Sequence, residues 1–128
     1  MQIFKFGGAS VKDVSSIKNV TNILKKYADE KTLVVISAMG KTTNKLELLA
    51  HSYFTKSDNT QAILNEIKQS HLNIVNELFP DKSNLVFDEI ENVFTELLWT
   101  IEDPISQNFN FHYDQIVSIG EILSTKIV

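Results

Sequence analysis

Apolar and polar positions follow the period of a strand near the N-terminus and then the period of a helix. Phe4 and Phe6 fall on one side of a short extended run, and Lys5 points to the other side. Apolar residues surround Lys5, where an unpaired buried cation would be costly. Over residues 14–28 the apolar positions recur at helical spacing, which predicts a helix that Asp13 can cap.

A second apolar run covers residues 32–37 and is continuous rather than alternating. Strands that are buried on both faces of a parallel sheet have this pattern. Strand, helix and strand together predict a right-handed βαβ unit and an α/β fold. The loops that follow the two strands should therefore meet at one edge of the sheet, which is where ligands bind in open α/β folds.

The remainder of the chain has helical periodicity. A helix is predicted to start near Asn44, and Asp58 is placed to cap the next one, which Pro80 ends. A further helix ends at Asp103-Pro104, and the short connection predicts that these two long helices pack as an antiparallel hairpin. The last helix is predicted to start near Phe111 and to continue to the C-terminus.

Composition narrows the function classes. The 128 residues are 43% hydrophobic with a formal net charge of −4, which suits one compact domain or part of a larger one. Mild acidity without a basic cluster argues against nucleic-acid binding, and no apolar run approaches a membrane span. The chain has no cysteine, so thiolate chemistry is excluded and a reducing cytoplasm is expected. His51, His71 and His112 are widely spaced, and we interpret them as structural or surface residues.

The first candidate site is the turn Gly7-Gly8 directly after the Lys5 strand. Paired glycines let the backbone approach a ligand closely, Ser10 adds a hydroxyl, and a helix N-terminus follows. Free N–H donors beside a fixed positive charge are the parts of a phosphate site. The alternative interpretation is an ordinary turn beside a lysine that extends to solvent.

The second candidate is the hydroxyl-rich loop that contains Ser37, Thr42 and Thr43. Its Gly40-Lys41-Thr42 resembles the end of a Walker A loop, but that loop needs a glycine where this chain has Val35, so we reject it. The alternative role for the two threonines is to cap the following helix.

The third candidate is Gly120-Glu121 within the last helix. A glycine inside a helix costs about 1 kcal/mol relative to alanine and usually marks close packing. A helical glutamate is most often a solvated surface residue. The neighbouring glycine, the apolar flanks and nearby hydroxyls make Glu121 a functional candidate.

Three stretches together resemble the N-terminal part of aspartokinases in the amino-acid kinase family: Lys5-Phe6-Gly7-Gly8-Ala9-Ser10-Val11, Val34-Val35-Ile36-Ser37-Ala38 with Thr43-Asn44, and Ser118-Ile119-Gly120-Glu121-Ile122-Leu123-Ser124-Thr125. The resemblance implies a partial three-layer αβα (carbamate kinase-like) fold. It implies that residues 1–128 are the N-terminal part of a truncated catalytic domain, without its nucleotide-binding half or ACT domains. Two strands of a larger sheet should leave an unpaired edge and an exposed apolar face.

The resemblance also implies a reaction. Aspartokinases transfer the γ-phosphoryl group of ATP to the side-chain carboxylate of L-aspartate, with Mg²⁺, as the first step to lysine, threonine and methionine. By position, Lys5 would neutralise the moving phosphoryl group, and the ATP phosphates would contact Lys5, Phe6, Gly7, Gly8 and Ser10. The aspartate would contact Ser37, Thr43 and Glu121. No metal-ligating residue is assigned to this chain.

Further expectations follow from the resemblance. The chain should be inactive by itself, and the full-length enzyme should be a cytoplasmic homo-oligomer that binds neither nucleic acid nor membrane. The alternative enzyme is another amino-acid kinase of the glutamate or acetylglutamate type. The alternative outside catalysis is an α/β module that serves assembly.

Overall fold

A computed structural model describes all residues, 1–128, and confirms a βαβ unit followed by a mainly helical stretch. A 3-10 turn at Gly8–Val11 connects the first strand to the first helix. The other elements are β1 Gln2–Phe6, α1 Val14–Tyr27, β2 Thr32–Ile36, α2 Thr42–Phe54, α3 Thr60–Leu78, α4 Leu85–Glu102, α5 Phe109–Val117 and α6 Ile119–Ile127. No helix combines the length and the apolar character needed to cross a membrane.

The two strands are parallel, and one face of their sheet belongs to the core. Phe4 pairs with Val34 and Phe6 pairs with Ile36, so the four side chains lie on the same face. The rings of Phe4 and Phe6 stack with their centroids 6.3 Å apart, as the alternation predicted. Phe6 is buried in the main apolar cluster, and the other three side chains pack against that cluster.

The opposite face of the sheet is exposed. Ile3 is 65% exposed, Leu33 51% and Val35 42%, and Lys5 is exposed among them. The prediction that β2 is buried on both faces was therefore wrong, because the core covers only one face, and Lys5 extends to solvent as its alternative interpretation held. The expected exposed apolar face and unpaired sheet edges are confirmed, since the sheet has two strands only.

The start of α1 is capped as predicted. The Asp13 carboxylate accepts a hydrogen bond of 2.8 Å from the Ser16 backbone N–H, and this bond holds the pKa of Asp13 below its usual value. The α2 helix begins at Thr42, two residues before the predicted start at Asn44.

The predicted cap of α3 was wrong. Asn59, not Asp58, is the N-cap residue, and no side chain caps this helix. The Asn59 side-chain oxygen instead accepts hydrogen bonds from the hydroxyls of Ser52 and Ser57, at 2.9 and 2.6 Å. The turn between α2 and α3 is thus fixed by contacts across the turn rather than by a local cap.

The α3 and α4 helices form the predicted antiparallel hairpin. Lys68 on α3 pairs with Glu91 on α4 at 2.6 Å, and Gln61, earlier on α3, lies beside Leu98, later on α4. Their buried apolar residues belong to the common core, so the helical periodicity of both segments reflects core packing: Leu64, Ile67, Val75, Val86, Ile90, Val93, Phe94 and Leu97.

The single C-terminal helix predicted from the sequence is two helices, with a break at Ser118. The α5 helix packs on α2, where the Tyr113 hydroxyl donates a 2.6 Å hydrogen bond to the Glu47 carboxylate. The α6 helix packs on α4 and β2. This arrangement carries the start of α6 to the loop that follows β2.

Candidate active site at the carboxyl edge of the sheet

The loops that follow β1 and β2 are joined by backbone hydrogen bonds. The Ser37 N–H donates to the Phe6 carbonyl at 3.0 Å, and the Gly40 N–H donates to the Gly8 carbonyl at 3.0 Å. A Cβ atom placed on Gly8 would lie 2.8 Å from the Ala38 carbonyl oxygen. The two predicted loops therefore do meet, and they approach so closely that a side chain at position 8 would collide with backbone.

The glycine turn presents unused backbone donors. The N–H groups of Gly7, Gly8 and Ala9 donate to no backbone carbonyl, whereas the Ser10 N–H closes the turn on the Gly7 carbonyl at 3.0 Å. A Cβ on Gly7 would meet no atom within 4 Å, so the space beside it is open. Consecutive free N–H groups in such a turn form a concave binding site for an anion.

Lys5 lies two residues before this turn and has no acidic partner. The three ion pairs of the chain join Lys45 to Glu66, Lys68 to Glu91 and Lys126 to Glu89. The Lys5 ammonium group is therefore exposed and available to a ligand. Its position on the outer face of β1 explains why it carries a charge without the cost expected for a buried cation.

The second loop ends in an uncapped helix. The Thr42 N–H donates to the Met39 carbonyl at 2.9 Å, but the N–H groups of Thr43 and Asn44 donate to no backbone carbonyl. No side chain caps α2, so the alternative in which a threonine serves as a helix cap is not observed. The positive end of the α2 dipole and these donors favour an anionic group beside Thr43. Ser37 and Thr43 are each half-buried.

The third stretch reaches this loop at Gly120. A Cβ on Gly120 would lie 2.8 Å from the Ala38 Cβ, 3.1 Å from Leu46 Cδ1 and 3.6 Å from Thr42 Cγ2. The prediction that Gly120 marks close packing is thus confirmed. The next residue, Glu121, is exposed and has no basic partner, so its carboxylate is free to bind a ligand.

The surface on which Gly120 rests was not predicted from the sequence. Ala38 and Thr42 are buried, and they form this surface together with Leu46. Thr42 was predicted to lie in the hydroxyl-rich loop, but its contact with Gly120 was not. The signal that could have revealed Ala38 is a small residue two positions after the second strand.

The three histidines lie outside the site. His71 and His112 are buried, and His51 is exposed with its ring 4.8 Å from that of Phe109. His51 is thus a surface residue, as the sequence indicated, whereas His71 and His112 are buried among the helices.

The three stretches carry charges of both signs. Lys5, the free donors of the glycine turn and the N-terminus of α2 are positive, whereas Glu121 is negative. They therefore offer contacts for anionic groups and for an ammonium group. Donors and a fixed cation are also what phosphoryl transfer needs, because that chemistry depends on positioning and on charge stabilisation.

Comparison with known proteins is consistent with this geometry. The family model described as the amino acid kinase family matches residues 1–128. Among curated relatives, aspartokinase 2 of Arabidopsis thaliana, a chloroplastic protein, is 34% identical over 128 residues, which are 98% of this chain and 23% of the relative. Aspartokinase 1 of the same plant is 32% identical over 130 residues, 98% of this chain and 22% of the relative.

Solved structures give the same result. Escherichia coli aspartokinase III in complex with aspartate and ADP superposes with a TM-score of 0.82 at 27% identity, over 99% of this chain and 27% of that one. The same enzyme in complex with lysine and aspartate gives a TM-score of 0.83. The chain thus spans less than a quarter of the length of these curated relatives and about a quarter of the structure.

Proposed function

The chain belongs to the amino acid kinase family, and from that premise we propose that residues 1–128 are the N-terminal part of an aspartokinase catalytic domain. The proposed reaction moves the γ-phosphoryl group of ATP to the side-chain carboxylate of L-aspartate and gives 4-phospho-aspartate. The aspartokinase relatives favour this reaction over glutamate or acetylglutamate kinase activity. Unpaired polar groups collected at one sheet edge favour it over a module that serves only assembly.

One observation carries the proposal. Three stretches that are far apart in the sequence meet at the carboxyl edge of the sheet: the glycine turn after β1, the loop after β2 and the start of α6. The first two contribute backbone N–H groups that donate to no carbonyl, and α6 contributes Glu121, which has no basic partner. With Lys5 they supply donors, a cation and a carboxylate, the groups that a phosphoryl donor and an amino acid would need.

The phosphate groups of ATP are assigned to the glycine turn. The free N–H groups of Gly7 and Gly8 would donate to phosphate oxygens, with the Phe6 end of the strand and the Ser10 hydroxyl beside them. The Lys5 ammonium group would neutralise charge on the transferred phosphoryl group. The open space next to Gly7 is where a phosphate could approach the backbone.

The aspartate is assigned to the second loop and to α6. Glu121 would bind the substrate ammonium group, because an unpaired carboxylate is the matching partner for a cation. Ser37 and Thr43 would bind the substrate carboxylates through their hydroxyls, helped by the free N–H groups at the α2 N-terminus.

A magnesium site does not fit the residues of this chain alone. No group of three or more histidine, cysteine, aspartate or glutamate side chains lies close enough together to hold a metal ion. We assign no step of the reaction to a metal ligand of this chain.

The remaining proposals concern the whole enzyme. This chain matches less than a quarter of the length of its curated relatives. We therefore propose that residues 1–128 have no kinase activity by themselves. The complete enzyme would be a homo-oligomer that supplies the pathway to lysine, threonine and methionine. The lack of cysteine is compatible with a reducing compartment, and we propose the cytoplasm.

Calorimetric titration of aspartate and, separately, of ATP tests these assignments with two variants that control for each other. Both Glu121 and Lys5 are exposed, so Glu121→Ala and Lys5→Ala should fold normally. Glu121→Ala should weaken aspartate binding by about tenfold or more and leave ATP binding unchanged, whereas Lys5→Ala should do the reverse. Aspartate binding that survives Glu121→Ala would overturn the assignment. The absence of binding by either ligand would mean that the remainder of the catalytic domain is needed to build the site.

A further inference from the structure

A cavity of about 310 Å³ opens where the beginnings of α1 and α2 meet the middle of α3. It is lined by Lys12, by residues 39–42 and Lys45, and by Ser70, His71 and Ile74. It shares no lining residue with the groups assigned to ATP or aspartate. Its volume lies at the lower end of the range of small-ligand sites, about 300–1,000 Å³.

The rim of this cavity is basic. Lys12, Lys41 and Lys45 line it, and no acidic residue does. Lys45 pairs with Glu66 at 2.9 Å, but Lys12 and Lys41 have no acidic partner. Two unpaired ammonium groups at one cavity repel each other unless an anion lies between them.

The wall of the cavity holds an unsatisfied polar atom. His71 is 2% exposed, and its Nδ1 lies 2.8 Å from the Ile67 carbonyl oxygen, which can only accept a hydrogen bond. Nδ1 must therefore carry the proton, and Nε2 has a lone pair that finds no partner. Buried polar atoms without a partner are rare and call for an explanation such as a bound ligand.

We propose that this cavity binds a phosphate group that retains a P–OH proton. The anionic oxygens would lie between the Lys12 and Lys41 ammonium groups, and the P–OH would donate to His71 Nε2. Nε2 is closed to solvent in the free chain, so side chains around His71 must shift before a ligand can reach it.

Other ligand classes fit less well. A metal cation would suit a neutral histidine but would be repelled by the lysines. A carboxylate or sulfate would satisfy the lysines but offers no donor to Nε2 at neutral pH. Burial and the nearby Lys45 charge lower the pKa of His71, which keeps Nε2 an acceptor.

The test follows the ¹⁵N resonance of His71 Nε2 by NMR during titrations with inorganic phosphate, methyl phosphate and sulfate near pH 6, where about half of a phosphomonoester still carries its P–OH proton. Phosphate should move this resonance, and sulfate should not. Tighter binding of methyl phosphate would indicate a phosphomonoester as the ligand, and tighter binding of inorganic phosphate would indicate the free ion. A response to sulfate equal to that to phosphate, or no response to either phosphate, would overturn the proposal.

Two double variants locate the binding. Lys12→Ala with Lys41→Ala should weaken phosphate binding by about tenfold or more, from the loss of charge-assisted contacts. Lys25→Ala with Lys26→Ala removes the same charge from the exposed end of α1 and should leave binding within about twofold. Equal weakening by both pairs would show a general charge effect and contradict a site. The readout is at His71, so this result is independent of the ATP and aspartate assignments.

Discussion

Replacing Gly120 by alanine tests whether helix propensity or tertiary packing decides the stability of the chain at this position. The two effects change the free energy of unfolding in opposite directions. In an isolated helix the change is favourable by about 1 kcal/mol, because glycine loses more backbone entropy on folding. In this chain the new methyl group would lie 2.8 Å from the Ala38 Cβ and 3.1 Å from Leu46 Cδ1. Carbon atoms in favourable contact are about 3.5–4.0 Å apart, so the first of these contacts forces the backbone to move.

The magnitude follows from the difference between these two effects. Overpacking a tight junction typically costs about 1–3 kcal/mol. Subtracting the propensity gain of about 1 kcal/mol leaves a net loss of up to about 2 kcal/mol. For a domain of this length the corresponding fall in Tm is at most about 10 °C.

Urea denaturation followed by circular dichroism measures this loss directly. The matched control is the double variant in which Ala38→Gly accompanies Gly120→Ala, because it removes the closest contact while keeping the new methyl group. A double-mutant cycle should then show a coupling of at least about 0.5 kcal/mol between the two positions. If Gly120→Ala is as stable as the wild type or more stable, the packing argument is wrong.

Three further predictions follow from single contacts. Gly7→Ala should leave the free energy of unfolding unchanged, since its Cβ meets nothing within 4 Å, but it should obstruct ATP binding measured by calorimetry. Gly8→Ala should instead destabilise the fold, because its Cβ would lie 2.8 Å from a backbone carbonyl oxygen. Because the pKa of His71 is lowered in the folded chain, the unfolded chain binds more protons than the folded chain below about pH 6.5. The free energy of unfolding measured in urea should therefore fall as the pH drops below about 6.5, and a flat profile would refute this. Tyr53→Phe removes a 2.8 Å hydrogen bond to the Asp103 carbonyl and should cost about 1 kcal/mol in the same assay; no loss would show that the bond is not stabilising.

Local signals predicted most of the fold. The alternation of Phe4 and Phe6 and the Asp13 cap depend on neighbours in the sequence, and both were correct. The burial of β2 was not predictable in the same way, because a continuous apolar run looks alike whether one face or two are covered. The Asp58 cap failed because Asn59 and its contacts to two serines decide how α3 begins.

The sequence predicted those parts of the site in which the residue type itself implies a structural role. A glycine inside a helix beside an isolated glutamate indicated the packing at Gly120, and paired glycines after a strand indicated the close approach at Gly8. The partners of these glycines were not visible, because Ala38 meets Gly120 only through the tertiary fold. The basic cavity at His71 was hidden for the same reason, since its lysines belong to the segment before α1 and to the start of α2 with the residue that precedes it.

The most direct test of the account compares aspartate with succinate, which has the same two carboxylates and no ammonium group. In ¹H–¹⁵N NMR titrations, aspartate should shift the amide signals of residues 37–43 and of Glu121 and should bind about tenfold or more tightly than succinate. Glu121→Gln should remove that preference while leaving the fold intact. Equal affinity for the two ligands, or aspartate-induced shifts that lie away from this edge of the sheet, would contradict the proposed role of Glu121 and the site built around it.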